Sequence, residues 1–227
     1  MKSKETVVTN GRIILIDEPM SSETRSQLAK LETTDAQELL FLEDRQLAGG
    51  LEEFLREVVM EPDTLLVFPG NGSNYPRRLS QVCQEYTNTA SVEAKRFWTP
   101  GTDPEVQAGP IYPEKFLILG VKNVVMVDDV ISSGLTMRKL YQKNAWRFPG
   151  ASWRACAWVS QSLPSRGIRG YGEVSVATLV QREKGTQKVP INSLSTLRNN
   201  LKISESYACR HFREPMVFLH LIKEPRP

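Results

Sequence analysis

Apolar residues along the chain fall into two patterns. Unbroken runs occur at Ile13–Ile16, Leu65–Phe68 and Val124–Val127, and further strand-like runs at Trp153–Val159 and Val174–Val180. Consecutive apolar positions bounded by turn residues predict strands covered on both faces, the habit of parallel sheets. Between the runs, Leu51, Phe54, Leu55, Val58 and Val59 recur at helical spacing. That spacing predicts an amphipathic helix over roughly 50–60. Helices are also predicted over 36–47, 76–86 and 137–144, with Gly49-Gly50 separating the first of these from the helix at 50–60. A further strand is predicted at Phe116–Leu119. The segment from Trp98 to Pro113 holds Pro100, Gly101, Pro104, Gly109, Pro110 and Pro113, and is expected to be a long irregular connection. Strand and helix in alternation predict an α/β fold with a mainly parallel sheet flanked by helices. Periodicity weakens after Lys184, where a small cap is expected.

Composition narrows the class. The 227 residues are 40% hydrophobic and 24% charged, as in an ordinary globular protein. No apolar run approaches the ~20 residues of a membrane helix. The basic start Met-Lys-Ser-Lys lacks the about 7–15 apolar residues of a secretory segment, so a cytoplasmic protein without membrane partners is expected. Cys83, Cys156 and Cys209 are widely spaced and form no Cys-x-x-Cys pair, and the histidines are His211 and His220. A disulfide framework, a zinc ribbon and a His-x-x-x-His helix are thereby excluded, and the cysteines are expected to be small buried apolar residues.

Charge is uneven. Residues 151–227 hold 12 Lys+Arg against 5 Asp+Glu, a charge of +7, while residues 1–150 hold 17 against 21, or −4. Such a split points to an anionic partner.

The chemistry concentrates in Val124-Val125-Met126-Val127-Asp128-Asp129-Val130-Ile131-Ser132-Ser133-Gly134-Leu135-Thr136. A buried strand ends in two adjacent carboxylates, and a short Ser/Gly/Thr loop then opens a helix. In parallel α/β sheets ligands bind at the carboxyl ends of strands. Loop N–H groups, the helix dipole and the hydroxyls of Ser132, Ser133 and Thr136 suit a phosphate. The paired acids suit sugar hydroxyls, Mg²⁺, or both.

These 13 residues resemble the 5-phosphoribosyl 1-pyrophosphate (PRPP) motif of type I phosphoribosyltransferases, with Leu135 where many members carry a second Gly. The resemblance implies one domain, with a core over about 50–183 and a variable hood from about 1–49 and 184–227. It implies that Asp128 and Asp129 meet the ribose hydroxyls directly or through Mg²⁺, and that Ser132, Ser133, Gly134, Leu135 and Thr136 hold the 5′-phosphate. Gly70, Asn71 and Gly72 match the loop that binds pyrophosphate through backbone N–H groups, with Lys95 and Arg96 as candidate cations. The Trp98–Pro113 segment would be a lid. The implied activity is Mg-dependent phosphoribosyl transfer from PRPP to a purine or pyrimidine base in a homodimer.

Other readings of the same residues are weaker. The acids could end a Walker B strand, but no Gly-x-x-x-x-Gly-Lys-Ser/Thr exists. Gly70-x-Gly72 lacks a third glycine at Tyr75, so it is a poor dinucleotide fingerprint. Trp98 and Tyr112 suit either a base stack or a loop anchor, and Lys184 and Lys188 suit base contact. Arg210, His211 and Arg213 read as an exposed helix face. A PRPP-sensing regulator that binds nucleic acid is the alternative function; without a helix-turn-helix or aromatic RNA motif, nucleic acid is not expected as a partner.

Overall fold

The apolar runs become the strands of two sheets. In the computed structural model, which describes residues 2–35, 37–70, 72–97, 105–113, 120–161, 172–182 and 189–223, the chain forms two compact units. One comprises Met1–Val7 and Leu47–Val180, the other Val8–Gln46 and Gln181–Pro227.

In chain order the elements are β1 (Lys2–Val8), β2 (Arg12–Ile16), α1 (Ser22–Ala29), β3 (Leu39–Glu43), α2 (Asp44–Val59), β4 (Thr64–Pro69), α3 (Asn74–Leu79), α4 (Gln81–Glu85), β5 (Thr89–Val92) and β6 (Ala94–Phe97). They continue with β7 (Glu105–Ala108), β8 (Asn123–Ile131), α5 (Leu135–Asn144), β9 (Ser152–Gln161), β10 (Val174–Gln181), β11 (Ile191–Ser193), α6 (Leu194–Asn199), α7 (Leu201–His211) and α8 (Pro215–Ile222). No described helix is long and apolar enough to cross a membrane.

The six-stranded sheet has the order β1-β10-β9-β8-β4-β5. Its pairings from β10 through β5 are all parallel. Val124, Val125, Met126 and Val127 on β8 are all fully buried, so both faces of this strand are covered. Val124 and Met126 share a core with Leu65, Met137, Leu140 and Trp153. The fold is α/β, with a mainly parallel sheet flanked by helices.

The other unit holds a three-stranded parallel sheet, β11-β2-β3, with Ile13 paired to Leu40 on one side and Ile191 on the other. Ile14, Leu28, Leu197, Phe212, Phe218 and Ile222 make its core, in which the rings of Phe212 and Phe218 stack at 4.3 Å. Buried Arg12 pairs with Asp35, and buried Asp17 accepts from the N–H and hydroxyl of Ser195. Burial raises the Asp17 pKa against those two hydrogen bonds.

Several predicted elements differ. The helix predicted over 36–47 is a strand over Leu39–Glu43, which pairs with β2, and only from Asp44 onward is it helical, as the start of an α2 that runs unbroken through Gly49-Gly50. Leu47, Leu51, Phe54, Leu55 and Val58 form one buried stripe, whose burial outweighs the cost of about 0.5–1 kcal/mol per helical glycine. The helix predicted over 76–86 is two, broken at Ser80. There the Glu52 carboxylate accepts from the Ser80 hydroxyl at 2.6 Å and from the Val82 N–H at 2.9 Å. The predicted irregular connection contains a strand, β7, which pairs antiparallel with β6 just before the connection, Ala94 opposite Ala108 and Phe97 opposite Glu105. The Phe116–Leu119 strand lies outside the described residues.

Candidate functional site

The strand order reverses direction next to β8. From β8 the chain steps to β9 and then β10 on one side, whereas β4 and β5 extend the sheet on the other. Such a switch point leaves a crevice outside the carboxyl ends of the two central strands, which no crossing connection covers. β4 pairs with β8 only as far as Val67 and Met126, while β9 follows β8 through Ile131 and Ser160. Beyond Met126, β8 is therefore open on its β4 side, where Asp128 and Asp129 stand.

β8 runs through the acids to Ile131, past the strand end expected at Val127. The Ser160 hydroxyl donates to the Ile131 carbonyl at 3.2 Å and helps hold this end against β9. Asp128 is 6% exposed and Asp129 half-buried. Asp128 Oδ1 accepts from the Asp129 N–H at 3.0 Å, and Asp129 Oδ1 from the Val130 N–H at 2.7 Å. Both carboxylates are thus oriented by the backbone beside them.

The loop after β8 turns at Gly134, whose φ of +68° lies in the left-handed region that favours glycine. α5 begins immediately, with no side-chain cap on its N-terminus. Its first turn contains no acidic residue. The Leu135 N–H reaches the exposed Ser133 hydroxyl only at 3.4 Å. Helices α1, α4, α6 and α7 are capped by Ser21, Ser80, Ser193 and Asn200. α5 has no such cap, and an uncapped helix N-terminus suits an anion. Ser132 is half-buried, Leu135 half-buried and Thr136 6% exposed.

The loop after β4 closes the crevice from the other side. Gly70 has φ +65°, donates its N–H to the Val92 carbonyl at 2.8 Å, and lies against Ala94. Gly72 lies against the acids: a Cβ there would sit 2.5 Å from Asp129 Oδ1 and 2.8 Å from its Cγ. Only a residue without a side chain lets this loop backbone approach the carboxylate so closely. Asn71 lies outside the described residues. Ser73, fully buried, donates its hydroxyl to the Gly70 carbonyl at 3.0 Å and ties the loop; its place after Gly72 in a Gly/Asn/Ser run was the available sequence signal.

The structure thus brings Asp128, Asp129, the Ser132–Thr136 loop, Gly70 and Gly72 together in one unit. Lys95 and Arg96 follow Ala94 on β6, beside Gly70. The Lys95 ammonium is exposed and pairs with Glu93 at 2.7 Å, and the Arg96 side chain lies outside the described residues. The base of the expected lid is the β6–β7 ribbon, with residues 98–104, Trp98 among them, outside the described residues. On the far side of β7, Asn144 of α5, fully buried, accepts from the Ile111 N–H at 2.6 Å and donates to the Gly109 carbonyl at 3.1 Å. Sequence reading missed this anchor, because a lone Asn at a helix end carries no pattern. Tyr112 is 41% exposed and lies under the Arg147 guanidinium. Lys184 and Lys188 lie outside the described residues.

No protein-family model and no curated protein matches the chain. Among solved structures it is similar to a purine phosphoribosyltransferase from Pyrococcus horikoshii, at 23% identity over 66% of this chain and 86% of that one, with a TM-score of 0.43. Helicobacter pylori xanthine-guanine-hypoxanthine phosphoribosyltransferase aligns at 12% identity over 85% of this chain and 99% of that one, with a TM-score of 0.44. A hypothetical protein from Neisseria gonorrhoeae with bound ppGpp aligns at 17% identity over 74% and 90%, with a TM-score of 0.47. The likeness is one of fold.

Proposed function

We propose that the protein transfers a phosphoribosyl group from PRPP to a nitrogenous base and releases pyrophosphate. The observation that carries this reading is the approach of Gly72 to Asp129. It joins a glycine loop suited to phosphate oxygens to a carboxylate pair suited to sugar hydroxyls, at a switch point that also holds an uncapped helix N-terminus.

In this reading the Ser132–Thr136 loop and the first turn of α5 bind the 5′-phosphate. Asp128 and Asp129 hold the ribose 2′- and 3′-hydroxyls, and the backbone at Gly70 and Gly72 receives the pyrophosphate. Loss of pyrophosphate from C1 builds positive charge on the ribose ring and negative charge on the leaving group. The two carboxylates would meet the first and the loop amides the second, with Lys95 and Arg96 as candidate cations. Donors fixed in advance where charge develops lower the barrier without reorganisation. No protein nucleophile is required.

The donor set also fits Mg²⁺. Two adjacent carboxylates supply hard oxygens. Among the described residues no group of three His, Cys, Asp or Glu could cage a metal, so Asp128 and Asp129 would share the ion with substrate oxygens, as is usual for Mg²⁺. When bound, the ion would neutralise charge on the departing pyrophosphate.

The test is PRPP-dependent pyrophosphate release with adenine, hypoxanthine, guanine, xanthine, uracil and orotate in turn, repeated with Asp129→Asn. One base should support turnover, and the variant should lose about 10²-fold or more in rate. Undiminished turnover in Asp129→Asn sinks the role given to the acids. PRPP binding without release on any base sinks catalysis and leaves a phosphosugar-binding protein.

A further inference from the structure

α5 and the 3₁₀ turn that follows it, Ala145–Arg147, present a stripe of cations and a flat aromatic surface away from the crevice. Lys139, Gln142 and Lys143 are exposed, and with Val106, Gln107 and Ala108 of β7 they line an open groove of about 490 Å³. None of its six lining residues is acidic. The sequence holds no Asp or Glu between Asp129 and Glu173, so no neighbour on α5 or its turn neutralises these lysines; the acid on β7 is Glu105, at the far end of that strand.

Trp146 follows on the same helix face, three residues beyond Lys143. Its ring is 70% exposed yet fixed: the indole N–H donates to the Lys143 carbonyl at 3.0 Å. The Arg147 guanidinium lies 4.4 Å from the Trp146 ring centroid and 5.4 Å from that of Tyr112. Arg147 Nε is buried and has no hydrogen-bond partner among the described residues, so aromatic faces take the place of an acceptor. The segment carrying Tyr112 is held by the two Asn144 hydrogen bonds and by Ile111, which is 1% exposed. An exposed ring normally samples several rotamers. This one is held in place next to two lysines and a guanidinium, over a helical rise of about 10 Å from Lys139 to Trp146.

We propose that this face binds single-stranded nucleic acid. A base stacks on the Trp146 indole, Lys139 and Lys143 meet the flanking phosphates, and the amides of Gln107 and Gln142 line the groove that the strand follows. A positive groove with a fixed aromatic platform is the physical requirement for sequence-tolerant single-strand binding. The inference is independent of the PRPP reading and can fail or hold without it.

The test uses fluorescence anisotropy of a labelled oligo(dT) of about 16 nucleotides with the full chain. Binding is expected at low salt and weaker for a duplex of equal length. Trp146→Ala should weaken it about tenfold, the loss of one stacked base, while Trp146→Phe retains most of it. Lys139→Gln with Lys143→Gln should lower the slope of log K against log salt by about 1.4. Lys139 and Lys143 are exposed and their variants should melt like the parent, while Trp146→Phe, which keeps a ring under Arg147, controls for any loss of stability in Trp146→Ala. The proposal is overturned by absence of binding at low salt, or by binding that is indifferent to Trp146→Ala. It is also overturned if sedimentation shows a dimer that Trp146→Ala dissociates, since the face then belongs to a second copy of the chain.

Discussion

The α-carbon of Gly72 faces the carboxylate of Asp129 so closely that a methyl group at residue 72 would lie 2.5 Å from Oδ1. The obstructed atom is the tip of a side chain, and Gly72 has no positive φ to lose. Gly72→Ala should therefore fold, because the carboxylate can rotate away. The displaced Asp129 should then fail its ligand. We expect thermal melting close to that of the parent and PRPP affinity, by calorimetric titration, reduced about tenfold or more. Gly70→Ala should differ: its φ of +65° makes the strain local, and a loss of about 1–2 kcal/mol in stability is expected.

Asn144 joins α5 to the segment after β7 through Ile111 and Gly109. Asn144→Ala leaves the buried Ile111 N–H without its acceptor. A cost of about 1–3 kcal/mol follows from the unsatisfied donor alone. Urea denaturation of the full chain should show it as a lower midpoint with an unchanged slope.

His211 provides a pH signature in the second unit. Burial lowers its pKa to about 4, helped by Arg12 and Arg210 and opposed by Asp35, with the Tyr207 ring 4.7 Å away. Its ordinary value is 6.5, so the unfolded chain takes up this proton first as the pH falls. The stabilisation is fully present above pH 6.5 and is lost progressively towards pH 4. Asp17, raised by burial, acts in the opposite sense. The readout is therefore the difference between parent and His211→Gln, measured by denaturation at pH 7 and pH 5, which should shrink at the lower pH.

The cysteines should separate by reactivity. Burial pushes the Cys156 thiol up to about 12 and Cys83 up to about 11, whereas Cys209 is exposed. Alkylation by iodoacetamide near neutral pH proceeds through the thiolate. Native protein should gain one adduct, at Cys209, and unfolded protein three, as read by mass spectrometry. This corrects the expectation that all three cysteines are buried.

What the sequence determined by itself is local. Four consecutive apolar residues at Val124–Val127, two acids and a Ser/Gly/Thr loop specify a buried strand feeding a helix, because strand burial and left-handed turns depend on residues next to one another. The glycines of the Pro69–Asn74 loop are legible for the same reason. The tertiary structure decided what depends on distant partners. β1 is a polar strand at the sheet edge, where one-sided pairing leaves no apolar signature. Glu52 breaks the helix at Ser80 from well before it in the chain, and pairing with β2 overrides helical spacing at Leu39–Glu43. Above all, Gly72 meets Asp129 only because β4 and β8 are neighbours and stop pairing at Val67 and Met126. Strand adjacency arises from packing over the whole sheet, so the sequence carries the two halves of the site separately and only the fold joins them.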